Sequence, residues 1–332
     1  MSSKSHEATL TRLFDDLARG NTRAAFRTKR NGKWEDASFA DWRKRSRGLA
    51  ALLVDLGIAQ GDRVAVFGTT REEWIVADVA ILYSGAITVP VYGSLIGDQA
   101  AYILDHAEVR VLFAEDAAYV KRVLDASPES IARIEHVILF SGDASTLPAD
   151  VAKKCRTWKD ALAREAKPDD EKIVDERLAA QEPGGLATIV YTSGTTGPPK
   201  GAMLTHGVLT FVSVGWVADL MSLEPEDVGI HAAPLTHGAG FHALALTMKG
   251  ATQVLLRPPR FEPENFCAAV QRHRVTNAWL VPTQIKMLLN YEGLEKWDLS
   301  SLKWIAYGGS PMYVEDLKEA LRRIGPVFVQ LY

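Results

Sequence analysis

Short apolar segments alternate with longer mixed segments along the first half of the chain. The stretch GDRVAVFG predicts a buried strand at 63–67, and REEWIVADVAILYSG after it has the length of a helix and stops at a glycine. The β-rich AITVPVY, the helical GDQAAYILDHAE and the apolar VRVLFAED continue this alternation. Short apolar strands separated by helices are typical of parallel sheets covered on both faces. The pattern therefore predicts an α/β fold.

The second half of the chain shows the same alternation. Strands are predicted in AWLVP, LKWIAY and VFVQLY, and a helix in VEDLKEALRRIG. The pattern also predicts a long helix at about 206–221, strands near 228–233 and 251–256, and a helix at 264–273.

Residues 165–185 separate the two halves. They are charged, carry almost no large apolar side chains and end in Pro-Gly-Gly, which is typical of a surface connection. We therefore predict a first α/β subdomain at 1–180, whose N-terminal stretch could pack on the second, and a second subdomain at 181–332.

Composition narrows the functional classes. The chain has 332 residues, 47% hydrophobic and 24% charged, with a net charge of −3, so its charge gives no argument for binding nucleic acid or an anionic membrane. Cys155 and Cys267 are its only cysteines and form neither a disulfide framework nor a thiolate metal site. The start of the chain lacks the apolar core of a signal peptide, and polar or breaking residues interrupt the apolar window at 74–92. We expect a cytoplasmic protein without a transmembrane segment.

The segment LATIVYTSGTTGPPKG at 186–201 carries the strongest chemical signal. LATIVY predicts a strand, and TSGTTGPPKG cannot continue it because its prolines cannot donate to a β-ladder. The loop offers hydroxyl groups, backbone N–H groups and one cation, Lys200, with a helix expected shortly beyond. Such a loop suits a phosphate group.

Two simpler interpretations of this loop compete with a phosphate site. It is not a Walker A loop, because Pro199 precedes the lysine and Ala202 stands two residues after it. A flexible connection rich in turn-forming residues would also contain these residue types, and Lys200 alone could be a solvated surface lysine. The order of the eleven residues YTSGTTGPPKG favours a phosphate loop.

Four segments together resemble one family. YTSGTTGPPKG resembles the phosphate loop of the AMP-forming adenylating superfamily, which includes acyl-CoA synthetases, firefly-type luciferases and peptide-synthetase adenylation domains. APLTHGAGFHAL, YGGSPM and VQLY are similar, in order, to the acyl-pocket segment, the adenine loop and the start of the next motif. The resemblance is greatest to acyl-CoA synthetases. It implies two stacked, mostly parallel sheets with helices on their faces, as in the large N-terminal domain of that superfamily.

The resemblance also implies a reaction and its cofactors. A carboxylate would attack the α-phosphorus of ATP to give acyl-AMP and pyrophosphate, with Mg²⁺ present, and coenzyme A would then accept the acyl group. Lys200 and Thr196 would be the catalytic residues of the phosphate loop, because donors and cations are needed where charge moves. The phosphates of ATP would be held by Thr192, Ser193, Gly194, Thr195, Thr196, Gly197 and Lys200.

The adenine and acyl positions follow from the other segments. By resemblance, Gly308, Gly309 and Ser310 line the adenine and Tyr332 stacks on it, whereas a plain strand-to-helix turn and a buried aromatic are the simpler interpretations. His237 and Phe241 would border the acyl pocket.

Three histidines near this segment raise the question of a metal. His231, His237 and His242 match no zinc-binding spacing and have no acidic companion, so we expect no metal site there. His206 is expected to be structural, with Thr205 as a helix cap.

The sequence departs from the family pattern at its end. The chain stops at Tyr332, whereas the resemblance places a magnesium-binding Glu, a ribose-binding Asp and a distal catalytic Lys later. We therefore expect this N-terminal part to be inactive alone, and to expose surface that favours self-association into a homo-oligomer. A non-catalytic nucleotide- or acyl-binding fragment is the alternative.

The expected substrate follows from the absence of an acidic residue in the acyl segment. A peptide-synthetase adenylation domain usually places an Asp near the acyl segment to receive the amino acid's ammonium group, and LTHGAGFHALAL has no acidic residue. A small-molecule carboxylic acid without an α-amino group is therefore expected, with an amino-acid adenylation domain as the alternative.

Overall fold

The computed structural model describes residues 9–192, 197–236, 238–256 and 260–331. The chain folds into two compact units. The first contains 1–16, 41–69 and 73–210, and the second contains 17–40, 70–72 and 211–332. The division thus differs from a boundary at residue 180, because the strand LATIVYT at 186–192 joins the sheet of the first unit.

The first unit is built on a seven-stranded sheet. Its strand order is β7-β6-β5-β3-β4-β8-β9, and every neighbouring pair is parallel except β8 and β9. The strands are β3 (Arg63–Gly68), β4 (Ile87–Tyr92), β5 (Val109–Ala114), β6 (His136–Leu139), β7 (Cys155–Thr157), β8 (Leu186–Thr192) and β9 (Lys200–Thr205).

Helices separate these strands along the chain, as the alternating pattern predicts, except between β8 and β9. They are α1 (Leu10–Ala18), α2 (Phe39–Asp55), α3 (Glu72–Tyr83), α4 (Gly97–His106), α5 (Ala117–Ala126), α6 (Pro128–Arg133), α7 (Ala149–Ala152), α8 (Trp158–Leu162), α9 (Asp170–Ala179) and α10 (His206–Gly215), which continues as one π-helical turn over Trp216–Leu220.

The second unit also contains a seven-stranded sheet, in the order β14-β13-β12-β10-β11-β1-β2. All its neighbouring pairs are parallel except the N-terminal hairpin of β1 and β2. Its elements are β1 (Ala24–Arg30), β2 (Lys33–Ser38), β10 (Val228–His231), α11 (Gly238–Lys249), β11 (Thr252–Leu255), α12 (Pro263–His273), β12 (Asn277–Leu280), α13 (Pro282–Leu289), a 3₁₀ turn (Leu294–Lys296), β13 (Trp304–Tyr307), α14 (Val314–Arg323) and β14 (Phe328–Gln330).

The predicted α/β fold with mostly parallel sheets is confirmed, whereas two local predictions need correction and one hairpin was not predicted. The segment 165–185 is more than a connection, because it contains α9, on which Val174 and Leu178 are buried. The hairpin of β1 and β2 was not predicted. The phosphate-loop segment returns as strand β9 before its helix begins, so the loop joins two antiparallel strands.

No helix in the described part of the chain is long and apolar enough to cross a membrane.

The second sheet separates its residues by face. Ile230, Ala278 and Ile305 occupy matching register positions and pack in one fully buried apolar cluster with α12, α13 and α14. The alternate positions face α11, since Trp279 and Ala306 cluster with residues of that helix. Side chains alternate between faces along a strand, so His231, the register partner of Trp279, also lies on the α11 face.

Candidate functional site

The β8–β9 hairpin carries the predicted phosphate loop. Thr192 and Lys200 are register partners where the two strands meet the loop, and both are exposed. Gly197 has a φ of +133°, a conformation that side chains rarely allow. The predicted donors Ser193, Gly194, Thr195 and Thr196 lie outside the described residues. The hairpin therefore places a cation and a hydroxyl-bearing residue opposite each other at the mouth of the loop.

Aromatic side chains support this hairpin from behind. Tyr191 is buried and its hydroxyl lies 2.7 Å from Nδ1 of His106, whose ring stacks on Tyr102 at 5.4 Å between centroids. The hydroxyl of Tyr102 donates to the carbonyl of Pro199 at 3.2 Å. Gly201 lies against the ring of Tyr191, where a Cβ would come within 3.3 Å of Cζ. The loop is thus held at both ends by the first unit's own core.

Lys200 can offer its charge to a ligand. It forms no hydrogen bond or ion pair with the part of the chain that the structure describes. An exposed, unpaired ammonium beside a loop rich in hydroxyl and glycine residues can neutralise an anion such as a phosphate group.

The residues after the loop have structural roles, as predicted. The hydroxyl of Thr205 accepts a hydrogen bond from the backbone N–H of Val208 at 3.2 Å and so caps α10. His206 is buried, with Nδ1 at 3.5 Å from the hydroxyl of Thr11. Burial, and secondarily the charge of Arg12, lowers the pKa of His206 to about 4, so the ring is neutral at pH 7.

The predicted adenine loop follows β13 in the second unit. A Cβ on Gly308 would lie 2.7 Å from the carbonyl oxygen of Leu331 and 3.3 Å from the Trp279 ring, so the chain itself fills that space. Leu331 and Trp279 therefore lie where a side chain at position 308 would stand, and the adenine contact of Gly308 stays a prediction. Gly309 has a φ of +84° and no atom near its Cβ position, and Ser310 is exposed. Tyr332 lies outside the described residues.

The predicted acyl segment runs into α11. Phe241 is partly buried against the cluster that contains Trp279, whereas His237 lies outside the described residues. A Cβ on Gly238 would come within 2.3 Å of Cζ2 of Trp279. The Trp279 ring therefore contacts the first glycine of the acyl segment and the first glycine of the adenine loop, and links both segments within the second unit.

A buried polar cluster adjoins the acyl segment, and sequence reasoning gave it no role. His231 and His242 are completely buried, with ring centroids 5.5 Å apart. Nε2 of His231 lies 2.8 Å from Oε1 of Gln253. Burial lowers the pKa of His231 to about 4, and burial and the neighbouring His231 hold the pKa of His242 well below its usual value. Both rings are neutral at pH 7.

Metal binding is a separate question for this cluster. Within the ranges that the structure describes, no group of three or more His, Cys, Asp or Glu side chains could hold a metal ion.

Comparison with known proteins places the chain in a family. The family model described as AMP-binding enzyme matches residues 14–332. A Mycobacterium tuberculosis protein named 3-[(3aS,4S,7aS)-7a-methyl-1,5-dioxo-octahydro-1H-inden-4-yl]propanoyl:CoA ligase is 31% identical over 84% of this chain and 54% of its own length. A Streptomyces coelicolor L-proline–[L-prolyl-carrier protein] ligase is 28% identical over 89% of this chain and 53% of its own.

Solved structures agree on the fold. The inhibitor-bound N-terminal domain of FACL13 from Mycobacterium tuberculosis superposes with a TM-score of 0.75 at 22% identity, over 98% of this chain and 75% of that one. The chain spans about half the length of the two curated relatives above. With the family model matching almost all of its length, the chain belongs to the AMP-binding enzyme family.

Proposed function

We propose that this chain provides the AMP-binding part of an enzyme that activates a carboxylic acid with ATP and passes the acyl group to coenzyme A. The observation that carries the proposal is the hairpin that places Lys200, exposed and unpaired within the described residues, opposite Thr192 across the phosphate-loop motif. Family membership supports the reaction class, and a curated relative named as a CoA ligase supports the acceptor.

The chemical problem in this reaction is charge. A carboxylate must approach the α-phosphorus of a polyanion, and pyrophosphate must leave as the P–O bond breaks. In our proposal Lys200 neutralises the departing pyrophosphate, while Thr192, Thr196 and the loop N–H groups bind its oxygens. Magnesium bound to ATP would supply further positive charge. Gly309 and Ser310 would border the adenine.

The proposed acid is a hydrophobic monocarboxylate. The acyl segment and α11 carry no acidic residue between 233 and 248, so no anion is present there to receive an α-ammonium group. Partly buried Phe241 and buried Trp216 and Trp279 supply apolar surface. An amino acid stays the alternative, because one matching relative is named as an L-proline ligase.

The first test removes the loop cation. In the chain extended to the full length of its relatives, Lys200→Ala should lower acid-dependent pyrophosphate exchange at least about tenfold, or about 1.4 kcal/mol of transition-state stabilisation. Lys172→Ala, which changes an exposed lysine on α9, is the matched control and should leave the rate unchanged. Full exchange by Lys200→Ala at subsaturating ATP would exclude Lys200 from the reaction. Faster exchange with a free α-amino acid than with any hydrophobic acid would overturn the substrate assignment.

A further inference from the structure

Several polar atoms are buried without partners on the α11 face of the second sheet. Nδ1 of His231, both ring nitrogens of His242 and Oδ1 of Asn277 make no hydrogen bond with any part of the chain that the structure describes. All three side chains are completely buried. Buried polar groups are nearly always hydrogen-bonded, and an unsatisfied one is destabilising. This cluster therefore requires a partner that the described part of the chain does not supply.

The hydrogen-bond chain fixes the proton on His231. The hydroxyl of Thr247 donates to the carbonyl of Ala243 at 2.7 Å and accepts from Nε2 of Gln253 at 3.0 Å. Oε1 of Gln253 then faces Nε2 of His231 at 2.8 Å and must accept its proton. Neutral imidazole carries one proton, so Nδ1 of His231 is an acceptor that needs a donor.

The neighbouring groups complete the description of the missing partner. His242 is neutral and therefore offers one donor and one acceptor, both without a partner among the described residues. The free oxygen of Asn277 is a further acceptor, since its nitrogen donates to Thr276 Oγ1 at 2.7 Å. A carbonyl group could only accept, and an ammonium group could only donate. A hydroxyl group both donates and accepts, so it matches the pair His231 and His242.

The position of the pair connects it with the acyl segment. His231 is the last residue of β10, and ligands of parallel α/β sheets bind beyond the carboxyl ends of the strands. From His242, ring contacts lead to Trp216 at 5.7 Å and from Trp216 to Trp279 at 5.6 Å. Trp279 contacts Gly238, where the acyl segment enters α11. The polar pair therefore adjoins the apolar surface assigned to the acid.

We propose that His231 and His242 form a polar subsite for the acyl group and select an acid that carries a hydroxyl group on an otherwise apolar body. The hydroxyl would donate to Nδ1 of His231 and accept from the N–H of His242. This inference uses the proposed function only in taking the ligand to be a carboxylic acid. A buried water molecule is the competing occupant, and it would give no preference among acids.

The test measures binding without ATP. Calorimetric titration of residues 1–332 would compare decanoic acid with a positional series of monohydroxylated decanoic acids. We expect one isomer to bind about tenfold tighter than decanoic acid, because the acid without the hydroxyl leaves the polar atoms unpaired. His242→Phe should reduce that ratio to about one. His273→Phe is the matched control, since His273 has an unpaired buried Nε2 but lies on α12, and it should preserve the ratio.

A second measurement covers the case in which His242→Phe fails to fold. In the unaltered chain labelled with ¹⁵N-histidine, the preferred isomer should shift the ring nitrogens of His231 and His242 and leave those of His273 unchanged. Equal affinity for all the acids, no binding of any acid, or a preference that His242→Phe retains would overturn the subsite. Selective binding without acid-dependent pyrophosphate exchange in the extended chain would instead overturn the proposed function and leave the subsite standing.

Discussion

The two faces of the second sheet are equally buried but chemically different. On one face, Ile230, Val254 and Ile305 pack with α12, α13 and α14 in an apolar cluster. On the other face, the same strands present His231, Gln253 and Asn277 to the α11 side. Side chains alternate between the two faces along each strand, so the residues of the two faces are neighbours in sequence and equally buried. Neither sequence position nor depth of burial therefore explains why one face is apolar and the other polar.

The chemical difference between the two faces bears on which of them stabilises the unit and which is suited to binding a ligand. Buried aliphatic side chains stabilise a fold without polar cost, whereas each buried polar group must find a partner to avoid a penalty. On the α11 face, Gln253 satisfies only one nitrogen of His231, and His242 finds no partner within the described residues. A sheet built only for stability would carry aliphatic residues on both faces. The face packed against α12, α13 and α14, called the α12 face below, therefore stabilises the unit, and the polar residues of the α11 face fit the subsite proposed above.

The largest expected effect tests the apolar face. Phe266 on α12 is completely buried in that cluster, so Phe266→Ala should lower the free energy of unfolding by about 3–5 kcal/mol. Phe211→Ala is the matched control, because Phe211 is 78% exposed, and it should change stability by less than about 0.5 kcal/mol. Urea titration followed by circular dichroism measures both. Similar losses in the two variants would contradict the assignment of the core to the α12 face.

The second-largest expected effect is a loss of unfolding free energy at low pH, and it arises on the α11 face. The folded-state pKa of His231 is about 4, below the ordinary value of about 6.5, so the unfolded chain takes up a proton first as pH falls. The contribution of neutral His231 to the free energy of unfolding is fully present above about pH 6.5 and is lost as the pH falls towards 4. The loss over this range amounts to about 3 kcal/mol. His231→Phe should therefore flatten the unfolding free energy between these pH values relative to the unaltered chain. Parallel pH profiles for the two proteins would refute this.

The alternating parallel strands of both sheets could be predicted from sequence because most of them are short apolar runs, as in β3 and β5. The hairpin of β1 and β2 was missed although its signal is present, since Asn31 and Gly32 both adopt positive φ, at 49° and 79°, as a tight hairpin turn requires. Helix α9 also had a signal, because Val174 and Leu178 are spaced by one helical turn. Strand β9 was missed because two prolines before it suggested that the loop continued into a helix.

The candidate site was only partly predictable. The order of residues around Lys200 is enough to predict a phosphate loop, because the backbone and hydroxyl donors of such a loop are contiguous in sequence. The polar pair was not predicted, since its meaning depends on partners such as Gln253, which is 22 positions from His231 and lies on the neighbouring strand. Likewise, only the fold shows that Leu331 fills the space beside Gly308.

The smallest expected effect concerns the two kinds of polar residue on the α11 face. His242→Phe removes two unpaired nitrogens from a buried position, so at pH 7.5 it should raise the free energy of unfolding by about 1 kcal/mol. Gln253→Leu is the contrasting variant, because it deprives the N–H of His231 of its acceptor and should cost about 1–3 kcal/mol. The free energies of unfolding of both variants are measured by urea titration with no carboxylic acid ligand added. If His242→Phe costs as much as Gln253→Leu, the His242 nitrogens are already satisfied by bound water, and the α11 face is as fully partnered as the α12 face.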